Sequence, residues 1–238
     1  WSRSDVKALN TDLVFRTDVK FPQGFDALSM AFYNGQPWVR TTNAVYSIKN
    51  DKPVPLDVGL DAIIEPDTSL SPMLPKDLFL NIGWSYTIER LYGGTLDDIG
   101  PWKGAGMPNG RQGVVAASCG GVGGWYYAID GGTANYSCVI FWDGKAIEEV
   151  FRGWAVGQRI RSLAYQPQNG TTSPARLFIG VGESVVYIEL PDQSLNPLHD
   201  TDSRYCWEYV VISPTHDFGA VHLPKFFKAI ETSTENLG

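Results

Sequence analysis

Charged side chains are scarce in this sequence, at 19% of 238 residues, against the ~25% usual for soluble chains. The charges are 19 Lys and Arg against 26 Asp and Glu, a formal net of −7 at pH 7. Neutralising phosphates takes clustered cations, and the nearest approaches to a cluster, Arg159/Arg161 and Lys225/Lys228, are only pairs. Nucleic acid and anionic membrane are therefore not expected as partners. Long apolar runs are missing too. Stretches such as CVIFW at 138–142 fall far short of the ~18–20 residues that cross a bilayer, so no membrane insertion is expected.

Cysteine is limited to Cys119, Cys138 and Cys206, an odd set without the close spacing of a zinc or redox centre. Small buried hydrophobes are the expectation, not a disulfide framework. Histidine is limited to His199, His216 and His222, whose separations of 17 and 6 match no short-range ligand pairing. No metal and no cofactor are expected. A Lys-Ser or Lys-Thr ending on a Gly-rich segment is absent, which excludes a P-loop, and no Gly-x-Ser-x-Gly elbow occurs. The chain opens on Trp1 with no charged n-region and apolar h-region behind it, so a piece of a longer protein is expected.

Helical periodicity is nearly absent as well. The best helical candidate, KFFKAIE at 225–231, suits a bulged strand equally well. What fills the sequence instead is short runs rich in Val, Ile, Tyr, Phe and Trp, separated by Gly, Pro, Asn and Asp. That is the pattern of many short antiparallel strands.

The runs recur in order. Small apolar segments lie at 27–32, 114–118 and 161–165. Bulkier ones start at 38, 78, 125 and 177, at intervals of 40, 47 and 52, and each precedes a third run at 45–48, 86–91, 138–142 or 185–190. Weaker fourth runs lie at 53–58 and 146–151, and 66–76 and 166–175 read as excursions between first and second strands. A unit of ~40–50 residues with up to four short strands marks a β-propeller blade. Small residues suit the crowded inner strand and large aromatics the faces between blades. Asn34-Gly35 and Asp143-Gly144 read as hairpin turns, and 120–124 as a loop crossing between strands. Four units plus 12–17 and 207–213 suggest about five blades, over 1–206, with 207–238 as final strands and exit segment. The segment 12–17 is expected to close the ring by pairing with 207–213 or 225–231. A β-sandwich is the alternative all-β architecture.

No catalytic set can be assembled from the residues. A propeller-fold glycoside hydrolase would need two carboxylates at one channel mouth. The candidates at strand ends are Glu65, Asp130 and Glu183, each of which is otherwise a solvated turn carboxylate. Trp38, Trp125 and Trp142 read as core. Trp84, Trp102 and Trp154 adjoin Gly or Pro in connections, where a ring offers a flat face to a sugar or a protein, and these three are the candidate ligand-binding residues. Asn135-Tyr136-Ser137 and Asn169-Gly170-Thr171 fit glycosylation sequons of a secreted protein.

The strand–turn Phe141-Trp142-Asp143-Gly144-Lys145, then Val211-Ile212-Ser213-Pro214-Thr215-His216-Asp217-Phe218-Gly219 and Pro224-Lys225-Phe226-Phe227-Lys228, resembles the propeller region of bacteriophage tail and other virion proteins. The resemblance runs as a loose pattern from Ala27 to Asn236 and is sharpest at 213–228. In such proteins this last segment marks the exit into a following β-sandwich. The chain departs from the pattern in its irregular second unit with a Pro-rich insertion, and in lacking the sandwich. The resemblance implies a non-enzymatic structural role in a virion, with loops displayed to other virion subunits or a host-surface glycan, and a homo-oligomer would suit that role. A secreted propeller-fold glycoside hydrolase or lectin acting on carbohydrate is the alternative.

Overall fold

The protein, seen as a computed structural model, is described over residues 3–5, 14–16, 19–21, 26–42, 44–50, 52–56, 73–76, 78–84, 86–101, 111–145, 147–169 and 174–190. All of these lie in the first of the two units into which the chain divides, Trp1–Tyr205 and Cys206–Gly238. The described residues form strands and no α-helix, as the absence of helical periodicity predicts. No helix among them is long and apolar enough to cross a membrane.

Near the start, β1 (Arg3–Asp5) and β2 (Val14–Arg16) pair as an antiparallel two-stranded sheet. The partners expected for 12–17, at 207–213 and 225–231, lie outside the described residues. Four larger sheets follow, each an antiparallel meander of consecutive strands. The first is β3 (Ala27–Tyr33), β4 (Gln36–Thr41), β5 (Val45–Lys49) and β6 (Lys52–Pro55). The second is β7 (Met73–Lys76), β8 (Phe79–Trp84), β9 (Thr87–Tyr92) and β10 (Thr95–Asp98). The third is β11 (Val114–Gly121), β12 (Gly124–Asp130), β13 (Cys138–Trp142) and β14 (Ile147–Arg152). The fourth is β15 (Ile160–Gln166), β16 (Arg176–Val181) and β17 (Ser184–Glu189).

The small, bulky and hairpin-paired segments of the sequence are thus the first, second and third strands of successive sheets. Three readings need correction. Met73–Lys76 is a strand, not the end of an excursion, and Thr95–Asp98 supplies a fourth strand that the sequence pattern did not show. The stretch 120–124 is mostly strand, with β11 running to Gly121 and β12 starting at Gly124. At the first hairpin, Asn34 and Gly35 both take positive φ, 50° and 72°, as a type I′ turn demands.

First strands are neighbours in series: β3 lies against β7, β7 against β11, and β11 against β15. The alternation of side chains along each strand then sends one row to each adjoining sheet. From the third sheet, Trp125, Tyr127, Ile129, Cys138, Ile140 and Trp142 cluster with Ile88 of the second. The opposite row, Tyr126, Ala128, Val139 and Phe141, packs with Leu177, Ile179 and Val181 of the fourth. Between the first and second sheets lie Ala31, Val45, Leu80, Ile82, Trp84 and Leu91. Burying such side chains contributes about 1.5–3 kcal/mol each, so the stacked faces are the main source of stability. Val115 and Ala116 of β11 are buried, as expected of a central strand, but Arg161, Ser162 and Ala164 of β15 are exposed. The fourth sheet buries only the face it turns to the third.

In a meander the second turn and the link to the next sheet leave from the same end. That end carries the close of β4, β8, β12 and β16, and it holds the candidate site.

Candidate functional site

Two polar knots tie the sheets together at this end. The first is Arg40, fully buried near the close of β4. Its Nε donates to the Gly83 carbonyl at 3.1 Å and its Nη1 to the Thr41 carbonyl at 2.5 Å, while the guanidinium lies 4.2 Å over the Trp84 ring. Desolvation pulls its pKa down from the usual value. Trp84 therefore is not a ring on a connection. It ends β8, is 4% exposed and is covered by Arg40, so the structure places this candidate ligand-binding residue in the core. The signal that misled was Gly83, which lies inside the strand and supplies the carbonyl that Arg40 binds.

The second knot is Asp130, the last residue of β12. Its side chain is 3% exposed and is not a solvated turn carboxylate. Arg159 Nε donates to both oxygens, at 3.1 and 2.8 Å, and Arg161 Nε donates to Oδ2 at 3.1 Å. The Gly132 amide donates to Oδ1 at 2.9 Å. Both arginines enter at the start of β15, so the knot joins the third sheet to the fourth. Of the other carboxylate candidates, Glu183 stands exposed in the β16–β17 turn and Glu65 lies outside the described residues. No cluster of three His, Cys, Asp or Glu suited to a metal occurs among the described residues.

Above this knot, the loop from Gly153 to Arg159 is fixed at almost every residue. The Gly153 amide donates to the Ser137 carbonyl at 2.8 Å, and the Gly157 amide to the Asn135 carbonyl at 3.2 Å. Asn135 in turn donates through Nδ2 to the Gln112 carbonyl, and the Ser137 hydroxyl accepts the Gly131 amide. Gln158 Oε1 accepts the amides of both Trp154 and Ala155, at 3.0 and 3.1 Å. Gly157 has φ +83°, a conformation that favours glycine.

The product of all this anchoring is an outward Trp154, 61% exposed, with Val156 two residues on at 48%. Phe151 meets the indole at 85°, with ring centroids 6.0 Å apart, and props it from β14. Trp154 is thus the candidate that the structure leaves facing solvent, and Trp102 lies outside the described residues. The sequence did not signal Arg159, Arg161 and Gln158 as members of the same site. Arg159 and Arg161 stood out only as a cationic pair, and the contacts to Asp130 span 29 and 31 residues.

No family model and no curated protein matches the chain. Among solved structures it is similar to the computationally designed Ika4 protein, at 13% identity and a TM-score of 0.48 over 74% of this chain and 99% of that one. It is also similar to the N-terminal domain of Nup159, at 12% identity and a TM-score of 0.36 over 69% of this chain and 47% of that one.

Proposed function

We propose that the chain is a non-enzymatic binding module, a β-propeller of about five blades, which holds a host-surface glycan at the Trp154 loop as part of a phage virion protein of the tail. Consecutive meanders stacked through their first strands support the blade arrangement over a sandwich, in which two sheets pack face to face. The virion setting rests on the resemblance at 213–228, which lies outside the described residues.

The observation that carries the binding role is the 61% exposure of Trp154 on a loop hydrogen-bonded along its length. A tryptophan in water adds nothing to the core, whereas a rigid, outward indole is a preorganised stacking surface. The hydrolase alternative finds little support at Asp130, because both of its oxygens are taken by arginines and a backbone amide.

The test is an immobilised-glycan array probed with the full chain and with Trp154→Ala. Retention of at least one glycan, weakened about thirtyfold or more by the substitution, supports the reading. Retention indifferent to Trp154 overturns the site. An array with no binding, alongside Trp154-dependent capture of a neighbouring virion subunit, replaces the glycan with a protein contact.

A further inference from the structure

We infer that Gln158 is the second contact residue of the Trp154 loop, its Nε2 donating to the acetamido carbonyl of an N-acetylhexosamine stacked on the indole. The inference rests on reading this loop as a glycan site. Gln158 Oε1 accepts two backbone amides, that of Trp154 at 3.0 Å and that of Ala155 at 3.1 Å. Only the oxygen of a carboxamide accepts, so these two bonds fix which end is which. A Cβ built on Gly153 would lie 3.8 Å from the same oxygen, which is therefore held over the backbone at 153–155. The amino end is the other branch of the same planar group, so it is turned away from the amides that the oxygen holds. Nε2 has no hydrogen-bond partner among the described residues and stays open to solvent.

Fastening the loop explains the oxygen but not the nitrogen. A carboxylate at 158 would hold the same two amides, and through charge-assisted bonds. What the amino group adds is a donor that cannot accept, rooted at the backbone of the exposed indole. Its complement is an acceptor that cannot donate. A sugar hydroxyl does both and is equally well served by water. A carboxylate would have to shed its water for an uncharged partner, in a chain of net charge −7. An acetamido carbonyl is neutral and accepts only. The loop also offers an apolar neighbour for the acetamido methyl. The Gln158 amide donates to the Ala155 carbonyl at 3.3 Å and closes a turn with Gly157, φ +83°, in its third position, where a type II turn calls for glycine. Val156 is the second residue of that turn and is 48% exposed. Indole, isopropyl and amide thus come from positions 154, 156 and 158 of one anchored loop. An N-acetylhexosamine answers them with an apolar ring face, a methyl and a carbonyl.

The experiment is NMR titration of the full chain with the methyl glycosides of N-acetylglucosamine and N-acetylgalactosamine, against those of glucose and galactose. The acetamido sugars should bind at least about tenfold tighter, through one added hydrogen bond and one buried methyl. They should also shift the Gln158 side-chain amide resonances, which the plain hexoses should leave in place. Gln158→Glu keeps an oxygen for the Trp154 and Ala155 amides but has no donor at neutral pH. It should therefore melt like the parent and lose the preference, whereas Trp154→Ala should weaken both sugar classes alike. Equal binding of the two classes that still depends on Trp154 overturns the acetamido class and leaves the glycan reading standing. A preference for acetamido sugars with the Gln158 resonances unmoved overturns the role of Gln158, whether or not the Glu variant folds. No binding of any sugar overturns both readings.

Discussion

Single side chains in this protein carry consequences out of proportion to their number because so many polar groups are buried between sheets. Tyr127, 1% exposed, accepts a hydrogen bond from Asn81 Nδ2 at 2.8 Å across the second and third sheets. Burial pushes its phenol above the ordinary value of 10.0, against a smaller lowering by that hydrogen bond. Tyr126 is raised by burial, then by Tyr165 and Cys119, and burial lifts the Cys119 thiol from 9.0 to about 12. In each case the unfolded group ionises first, so above its unfolded pKa the native state binds more protons and stability falls as pH rises. Resistance to urea should therefore weaken progressively above about pH 9–10, where free thiols and phenols begin to ionise. Tyr127→Phe should cost about 1–3 kcal/mol near neutral pH, because Asn81 loses its partner in a dry site. It should also flatten the alkaline decline by about 1.4 kcal/mol per pH unit in that range. Denaturant midpoints measured at both pH values check the two halves, and an unchanged alkaline slope would show that Tyr127 ionises as freely in the fold as out of it.

At the scale of an element, the β11–β12 hairpin shows how glycines set close approach. A Cβ on Gly124 would lie 2.3 Å from the Trp142 carbonyl oxygen and 2.5 Å from the Phe141 ring, whereas one on Gly120 would meet nothing within 4 Å. Gly124→Ala should accordingly lose about 1–3 kcal/mol, while Gly120→Ala should be neutral or gain up to about 1 kcal/mol through the unfolded chain. Thermal melts in which the two variants fall together would refute the close packing of β12 on β13. The same elements show what sequence could and could not reveal. Strands β12 and β13 were legible because WYYAID and CVIFW are dense in aromatic and β-branched residues. Strand β7, MLPK, was hidden by Pro75, yet β7 ends its sheet, where a missing donor is tolerated. Strand β10, TLDD, has little strand propensity and exists because β9 pairs with it. Trp154 was visible beside Gly153. Its surroundings were not, since neither the burial of Asp130 nor the arrival of two arginines from the next sheet leaves a local trace.

Across the described unit as a whole, cover is uneven, and stability should follow it. The third sheet is packed on both faces, by the second sheet and by the fourth. The first sheet has Val19 and Phe21 over part of its outer face, where Phe21 meets Tyr46 edge-on with centroids 5.2 Å apart. The fourth sheet exposes Val185 at 72% and Tyr187 at 52% on its outer face. Opening a sheet that has one packed face breaks one set of apolar contacts, and opening one packed on both faces, as the second and third sheets are, breaks two. Amide exchange should therefore be slowest in β12 and β13 and faster in β17, with the edge strands β6, β10 and β14 also fast. The Trp154 loop breaks the usual rule that connections exchange freely. It hangs between β14 and β15, but its Trp154 and Ala155 amides are bonded to Gln158 and its Gly157 amide to the loop of the third sheet. Those three amides should be protected beyond neighbouring turn amides, the Gly157 amide most, because its release requires unfastening the loop from the third sheet whereas that of Trp154 and Ala155 requires only that Gln158 turn away. Hydrogen exchange read residue by residue by NMR decides both points. Loop amides exchanging at free-peptide rates would remove the preorganisation on which ligand binding at Trp154 depends. Amides of β17 exchanging as slowly as those of β13 would show that in solution something covers the outer face of the fourth sheet. If that protection faded on dilution, the cover would be a second copy of the chain. If it persisted, the cover would come from within the chain, as closure of a ring requires.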